Sequence, residues 1–373
     1  MNKFKFHSVG QGLFYTGQLG YYYHHGYSEY CFVYDCGSES NVKYLNTAID
    51  DFADRIDGGL NFCVISHLHK DHYSGLYRLN KLSKISKLIL PYLPDFKNLK
   101  TVYIIGQYFE NGLEEITDAD IQNLKLMLGL YGVFDRDETF GSVEIEKFGE
   151  PDEVHKYDKF QCFKKVGTHK HWCFEFYNKA ITDEKWSALD KKLEEYLTNN
   201  NIENLDSLLS SNSFKIIVAI YKEVFGGNLN ATSIILKHYP MLKSSGCYPD
   251  CQMGDFLWEY LRPYNYHCGR HNKNITVLTG DAEFDVGLVK RVFSDYTSIN
   301  VLQVPHHGSN GNWVKLKLPK DLECKLVVSF GLGNKHKHPD AKTVNDILSM
   351  QYSDLILVNQ DNDYTYYIFD YNR

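Results

Sequence analysis

The chain has 373 residues, 43% hydrophobic and 23% charged, a balance that excludes disordered, collagen-like and coiled-coil proteins and leaves one large or two smaller globular domains. Its formal charge of −7 counts against a protein that grips nucleic acid through phosphate contacts alone. No apolar run approaches the roughly 20 residues that span a bilayer, the opening MNKFKFHSVGQG lacks an apolar signal-peptide core, and nine sparse cysteines fit free thiols or metal ligands better than a disulfide framework, so a cytoplasmic protein is expected.

Strand-like runs open the chain at Lys3–Val9, Leu13–Thr16 and Tyr30–Tyr34, rich in aromatic and β-branched residues and separated by glycine turns. A helix follows from Asn41, with Val42, Leu45, Ile49, Phe52 and Ile56 at three- and four-residue spacing, and stops at Gly58-Gly59. Phe62–Ile65 reads as a short buried strand and Lys87–Leu90 as another, ending at Pro91. The stretch 94–211 is less regular, with an amphipathic helix over Asp118–Leu130, short strands, and a helix over Asp183–Leu197 carrying Trp186, Leu189, Leu193 and Tyr196; it reads as an insertion. Further strands are expected at Phe214–Tyr221, Thr232–Lys237, Ile275–Leu278, Ile299–Val304 and Leu326–Ser329. A helix with Val344, Ile347 and Leu348 follows, then strands Leu355–Val358 and Tyr364–Phe369 around a turn at Asn359–Asn362. Strands and helices in both halves suggest two sheets packed face to face with helices outside, an α+β protein.

Histidine placement carries the chemistry. Three of the 16 histidines fall within six residues, His67-x-His69-x-Asp71-His72, just beyond the strand Phe62–Ile65. Side chains alternate along an extended segment, so His67, His69 and Asp71 project to one side while His72 turns back before Gly75. Imidazole and carboxylate are donors for zinc, manganese or iron. Four such groups so close to a buried strand would leave several polar atoms unpaired without a metal.

This run resembles the signature of the metallo-β-lactamase superfamily, and other stretches resemble its remaining motifs in the same order: Tyr34-Asp35-Cys36-Gly37, Leu278-Thr279-Gly280-Asp281 and Val304-Pro305-His306-His307-Gly308-Ser309. His7-Ser8-Val9-Gly10-Gln11-Gly12, and Asn334 with His338-Pro339, are similar to elements of the ComEC-like branch, which includes the hydrolase domain of the competence DNA channel. The resemblance implies an αββα four-layer sandwich, one domain over 1–373 with insertions at about 94–211 and 240–273, and two divalent metal ions, zinc or manganese. It implies that His67 and His69 bind one ion, that Asp71 and His72 bind the second, and that Asp281 bridges them. His306 or His307 completes the second site; His306, at the end of strand Ile299–Val304, is favoured. Asp35 would orient a ligand. Asn230-Ala231-Thr232-Ser233 resembles an N-x-x-S variant standing where many members carry a histidine, which leaves the first ion one imidazole short. Asn230 or a water would fill that place; His238 is a distant substitute, more simply a surface histidine at a strand end.

The reaction so implied is metal-dependent phosphodiester hydrolysis, a nuclease cleaving DNA by a two-metal hydroxide mechanism. Asp71 would orient the nucleophile, Asp281 would keep the ions together, and His338 would give a proton to the leaving oxygen or clamp a phosphate. Gln11, Asn230, Ser233, Ser309, Asn334 and His338 are the expected substrate contacts. Lys164, Lys165, Lys170, Lys335, Lys337 and the Lys315–Lys325 run would supply local positive charge, and Tyr21-Tyr22-Tyr23-His24-His25 stacking surfaces. Two alternatives stand beside DNA: a small phosphodiester such as a phosphocholine ester or nucleotide signal, and an effector or regulatory module of a defence system gated by a protein partner through 94–211. Separately, Cys247-x3-Cys251 followed by His267-Cys268-x2-His271 offers Cys247, Cys251, Cys268 and His271 to an additional structural zinc.

Overall fold

Side-chain alternation decides which faces of the strands are buried, and the burial is two-sided. In the computed structural model, which describes residues 2–23, 26–95, 97–108, 117–148, 172–178, 183–202, 213–225, 233–240, 274–284, 286–293, 299–319 and 321–368, the strands form two sheets. The first begins as an antiparallel meander of β1 (Asn2–Phe6), β2 (Gly12–Tyr23) and β3 (Gly26–Ser38), with β2 and β3 paired from Gly12↔Ser38 to Tyr23↔Gly26 across a one-residue shift between Phe14 and Tyr15. β4 (Leu60–Val64), β5 (Ile85–Pro91) and β6 (Glu144–Phe148) extend it in parallel, and β13 (Tyr364–Ile368) flanks β1 on the other side, giving the order β13-β1-β2-β3-β4-β5-β6. The second sheet has the order β12-β11-β10-β9-β8-β7, from Asp354–Val358, Lys325–Ser329, Ile299–Gln303, Ile275–Leu278, Ile235–Pro240 and Trp172–Tyr177; β9 to β12 run parallel.

Between the sheets lies an aromatic core: Phe4, Phe6, Tyr15, Phe32 and Phe62 from one side meet Trp172, Phe174 and Leu236 from the other. The outer face of the first sheet is covered by α1 (Val42–Ala53), α3 (Leu76–Ser83), α4 (Lys97–Tyr108), α5 (Asp118–Leu130), α6 (Asp183–Asn199) and α7 (Ser213–Phe225). The outer face of the second is covered by α8 (Val286–Val292), α9 (Asn310–Leu316) and α10 (Ala341–Leu348). The architecture is therefore the α+β four-layer αββα sandwich that the motif order implies. α1 buries Leu45, Ala48, Ile49 and Phe52 of the expected face while the Asn41 side chain accepts a hydrogen bond from the Lys43 amide, but Val42 is 63% exposed and the helix ends at Ala53, short of Ile56. Among the described residues, no helix is long and apolar enough to cross a membrane.

One element departs from expectation in type. Phe214–Tyr221 lies in helix α7, not in a strand. Its β-branched run imitates a strand, but Ile217 and Tyr221 are buried one helical turn apart while Ile216 is 47% exposed. That face packs on α4, where the Tyr103 and Tyr221 rings are 5.1 Å apart, so tertiary burial overrides β propensity. The 94–211 stretch also supplies β6 and β7, edge strands of the two sheets. Residues 241–273 lie outside the described residues, and with them Cys247, Cys251, Cys268 and His271.

Candidate metal centre

Parallel strands present their carboxyl ends along one edge, and ligands gather there in open α/β sheets. The chain leaves β4 into Ser66-His67, β9 into Gly280-Asp281, β10 into His306-His307 and β11 into the loop carrying His338. Backbone bonds tie these ends together: the Ile234 amide donates to the Ser66 carbonyl at 2.9 Å and the His306 amide to the Gly280 carbonyl at 3.1 Å. After His69 the chain coils into a single turn, α2 (Lys70–Tyr73), which swings Asp71 and His72 inward.

Two buried groups of three result, His67 with His69 and Asp281, and Asp71 with His72 and His307, each with donor atoms within 4.8 Å of one another. Asp281 stands between them: its Oδ2 faces His67 Nε2 at 3.7 Å, and its Oδ1 faces His72 Nε2 at 3.4 Å and His307 Nε2 at 3.9 Å. The ring of His307, not the favoured His306, closes the second group, with Nε2 3.0 Å from Asp71 Oδ2. His306 keeps a 31% exposed side chain, its Nε2 3.8 Å from Asp281 Oδ2. Both residues, with φ of 51°, take the left-handed conformation, and both rings approach Asp281, His306 at Oδ2 and His307 at Oδ1.

Hydrogen bonds to Nδ1 fix which nitrogen faces the centre. His72 Nδ1–H donates to Asp35 Oδ2 at 2.7 Å, and His307 Nδ1–H to the Ser329 carbonyl at 2.7 Å. Ser66 donates its hydroxyl to Asp35 Oδ2 at 2.7 Å and lies 3.0 Å from His67 Nδ1, completing a relay from His67 to Asp35. Asp35, fully buried with φ 57°, also accepts the Ser66 amide at 2.6 Å. The Nε2 atoms of His67 and His72 and Oδ1 of Asp281 are buried without a hydrogen-bond partner. Inward-facing lone pairs on imidazole and carboxylate, held by outer hydrogen bonds, are what a pair of divalent cations requires, so the residues present fit such ions.

The charges interlock. Burial alone would depress the His72 imidazole, yet Asp71, Asp35 and Asp281 around it raise it well above the ordinary value. Burial would raise the Asp71 and Asp281 carboxyls, but the surrounding imidazoles hold both below it. His67 is pushed well down, by burial first and then by His72 and His69.

The expected substrate contacts divide. Gln11 is buried and its Oε1 accepts the Gly331 amide at 3.2 Å, while Asn334 Nδ2 donates to the Gly331 and His338 carbonyls and its Oδ1 accepts the His338 amide. Both side chains thus shape the loop that carries His338. That ring stands 5.5 Å from His306, and burial first, then His306, His307 and His336, push it down to about 4. A ring so held is neutral at pH 7 and keeps one N–H to donate. Ser233 is buried with its hydroxyl unpartnered, beside the Ile234–Ser66 bond; Ser309 caps α9 without a side-chain hydrogen bond. Asn230, His24, His25, Lys164, Lys165 and Lys170 lie outside the described residues.

His238 is neither a ligand nor a surface residue. It is fully buried between the sheets, with Nε2 2.8 Å from the Tyr15 hydroxyl and Nδ1 accepting from Trp172 Nε1 at 3.3 Å. Two contributors to the centre carried no recognisable sign in the sequence. Ser66 is one. Gln303 is the other: buried at the end of β10, its Oε1 accepts the Thr279 and Gly280 amides at 3.0 and 3.1 Å and so holds the turn before Asp281.

No protein-family model matches the chain, and no curated protein matches it. Among solved structures, a long form of RNase Z from yeast is similar at 10% identity, with a TM-score of 0.40, over 97% of this chain and 41% of that one. The chain thus spans less than half the length of that structure.

Proposed function

We propose that the protein is a metal-dependent phosphodiesterase that cleaves DNA, built as one two-sheet domain with the 94–211 and 240–273 stretches as insertions. The observation that carries this reading is the pair of facing trios with Asp281 between them. His67, His69 and Asp281 would hold one divalent cation, and Asp71, His72 and His307 the other. Such a pair supplies Lewis-acid stabilisation of phosphoryl oxygens and makes water a competent nucleophile at neutral pH. The chain's own residues do the positioning. Ser66, Asp35 and the Ser329 carbonyl hold Nδ1–H of His67, His72 and His307, so the Nε2 lone pairs of these three face inward. His338, neutral at the rim, offers a hydrogen bond to a phosphate oxygen, as does the Ser309 hydroxyl. DNA as substrate rests on the ComEC-like elements His7–Gly12 and Asn334 with His338-Pro339, and the net charge of −7 favours the small-phosphodiester reading as the second.

The test incubates the purified chain with Mn²⁺ or Zn²⁺ and linear, circular or single-stranded DNA. Cleavage that Asp71→Ala or Asp281→Ala abolishes is expected. Turnover of bis-p-nitrophenyl phosphate without DNA cleavage would move the substrate to a small phosphodiester, and turnover of neither by metal-loaded protein would overturn the phosphodiesterase reading.

A further inference from the structure

The turn α2 has two faces. Asp71 and His72 point into the centre, whereas Lys70 and Tyr73, three residues apart and therefore on one side, point away toward α4 and α5. Lys70 Nζ lies 2.6 Å from Asp120 Oδ1 on α5, and the Tyr73 ring lies 5.5 Å from that of Tyr108 on α4.

Asp120 is placed for more than helix capping. It stands at the third position of α5, where its Oδ2 accepts the Thr117 amide at 3.0 Å and hydroxyl at 2.6 Å, while the Thr117 hydroxyl accepts the Asp120 amide. One oxygen thus completes a capping box. The other, Oδ1, takes the Lys70 ammonium and, at 2.7 Å, the Tyr108 hydroxyl, which in turn accepts from Asn123 Nδ2. Asp120 is only 3% exposed, and although burial would raise its carboxyl, the bonds from Lys70 and Thr117 hold it at about 2. A capping residue would leave its second oxygen to solvent; here it is buried against the residue between His69 and Asp71.

We propose that Asp120 is a positioning residue for the metal centre, clasping Lys70 so that helix α5 sets where Asp71 and His72 stand relative to His67 and His69. This rests on reading the two trios as cation sites, but not on the identity of the substrate. It gives α4 and α5 a part in the centre: a displacement of α5 reaches Asp71 through one ion pair and one turn of helix.

The test measures Mn²⁺ and Zn²⁺ binding to metal-free full-length protein by titration calorimetry, with the thermal midpoint followed in parallel. Asp120→Asn and Lys70→Met are each expected to weaken the second binding event by up to about tenfold, the lower end of the range seen when groups bonded directly to metal ligands are removed. The double variant should be no weaker than either single variant, and Asp120→Glu should recover part of the loss. A lowered midpoint with wild-type affinity in Asp120→Asn, or additive losses in the double variant, would overturn the proposal. Wild-type protein that binds neither ion would instead overturn the reading of the trios, and binding of both ions with no phosphodiester turnover would bear on the function alone.

Discussion

Asp35 shows what one residue contributes to the centre. Both of its oxygens are engaged by the strand end bearing His67 and by His72, so removing them leaves the Ser66 amide and hydroxyl without their acceptor and the His72 Nδ1–H with only the Ser66 oxygen at 3.4 Å. Asp35→Ala is therefore expected to cost about 1–3 kcal/mol for each orphaned group, read as a lower denaturant midpoint. It should also weaken cation binding by roughly 10- to 100-fold, read by titration calorimetry. Gly37, two residues on, is constrained by space: a Cβ there would stand 2.4 Å from the His72 amide nitrogen, a backbone atom that cannot give way without moving the ligand. Gly37→Ala should lower both the thermal midpoint and the metal content of the purified protein; retention of both would show that β3 and α2 tolerate separation. Asp35 is singled out in the sequence by the motif Tyr34-Asp35-Cys36-Gly37. Ser66 is not, since serine is common and its partners are fixed only when β3 and β4 lie side by side.

At the scale of elements, the edge strand β7 and its neighbour β8 carry a polar cluster that no motif announced. Glu175, buried on β7, accepts the Tyr177 and Tyr239 hydroxyls at 2.6 Å each and lies 3.4 Å from Lys237 Nζ, its cross-strand neighbour, itself only 8% exposed. Breaking such a pair leaves a buried charge, so Glu175→Ala is expected to destabilise by about 3–5 kcal/mol, with Glu175→Gln costing less; equal midpoints for the two variants in urea would contradict this. Strands and helices whose period agreed with their burial were read correctly, α1 between its ends and β9 to β13 among them. α7 was misread because Ile216, Ile217, Val218 and Ile220 favour both structures locally, and only the neighbouring helices choose between them. Gln11 and Asn334 stand out by motif; that they also hold the loop carrying His338 is not legible, because the Gly331 amide that Gln11 accepts lies 320 residues away.

In the molecule as a whole, the two sheets are joined by a layer in which polar groups are embedded among rings. The Tyr15 hydroxyl bonds to His238 Nε2 and the Tyr366 hydroxyl, which meets Thr276 Oγ1 at 2.7 Å. Burial pushes His238 from the usual 6.5 down to about 3. The unfolded chain therefore takes up this proton before the folded one. The stability from keeping the ring neutral is complete above pH 6.5 and declines by about 1.4 kcal/mol per unit as the pH falls toward 3. His238→Gln should flatten the fall in urea midpoint between pH 6.5 and 4; an unchanged slope would assign the acid sensitivity to other groups. The sequence could not reveal this ring as a core residue, since only pairing β8 with β7 and opposing it to β1 and β2 buries it.

The pairing of Asp71 with His307 spans 236 residues, and the Gly331 amide reaches Gln11 across 320. Contacts of such separation close late and slowly, because the loop must be ordered before any contact compensates its entropy. A chain emerging from the ribosome thus displays His67, His69, Asp71 and His72 long before Asp281 and His307 exist to join them. Closure of the two trios therefore waits on the segment from Asp281 to His307, however early the four residues from His67 to His72 are made.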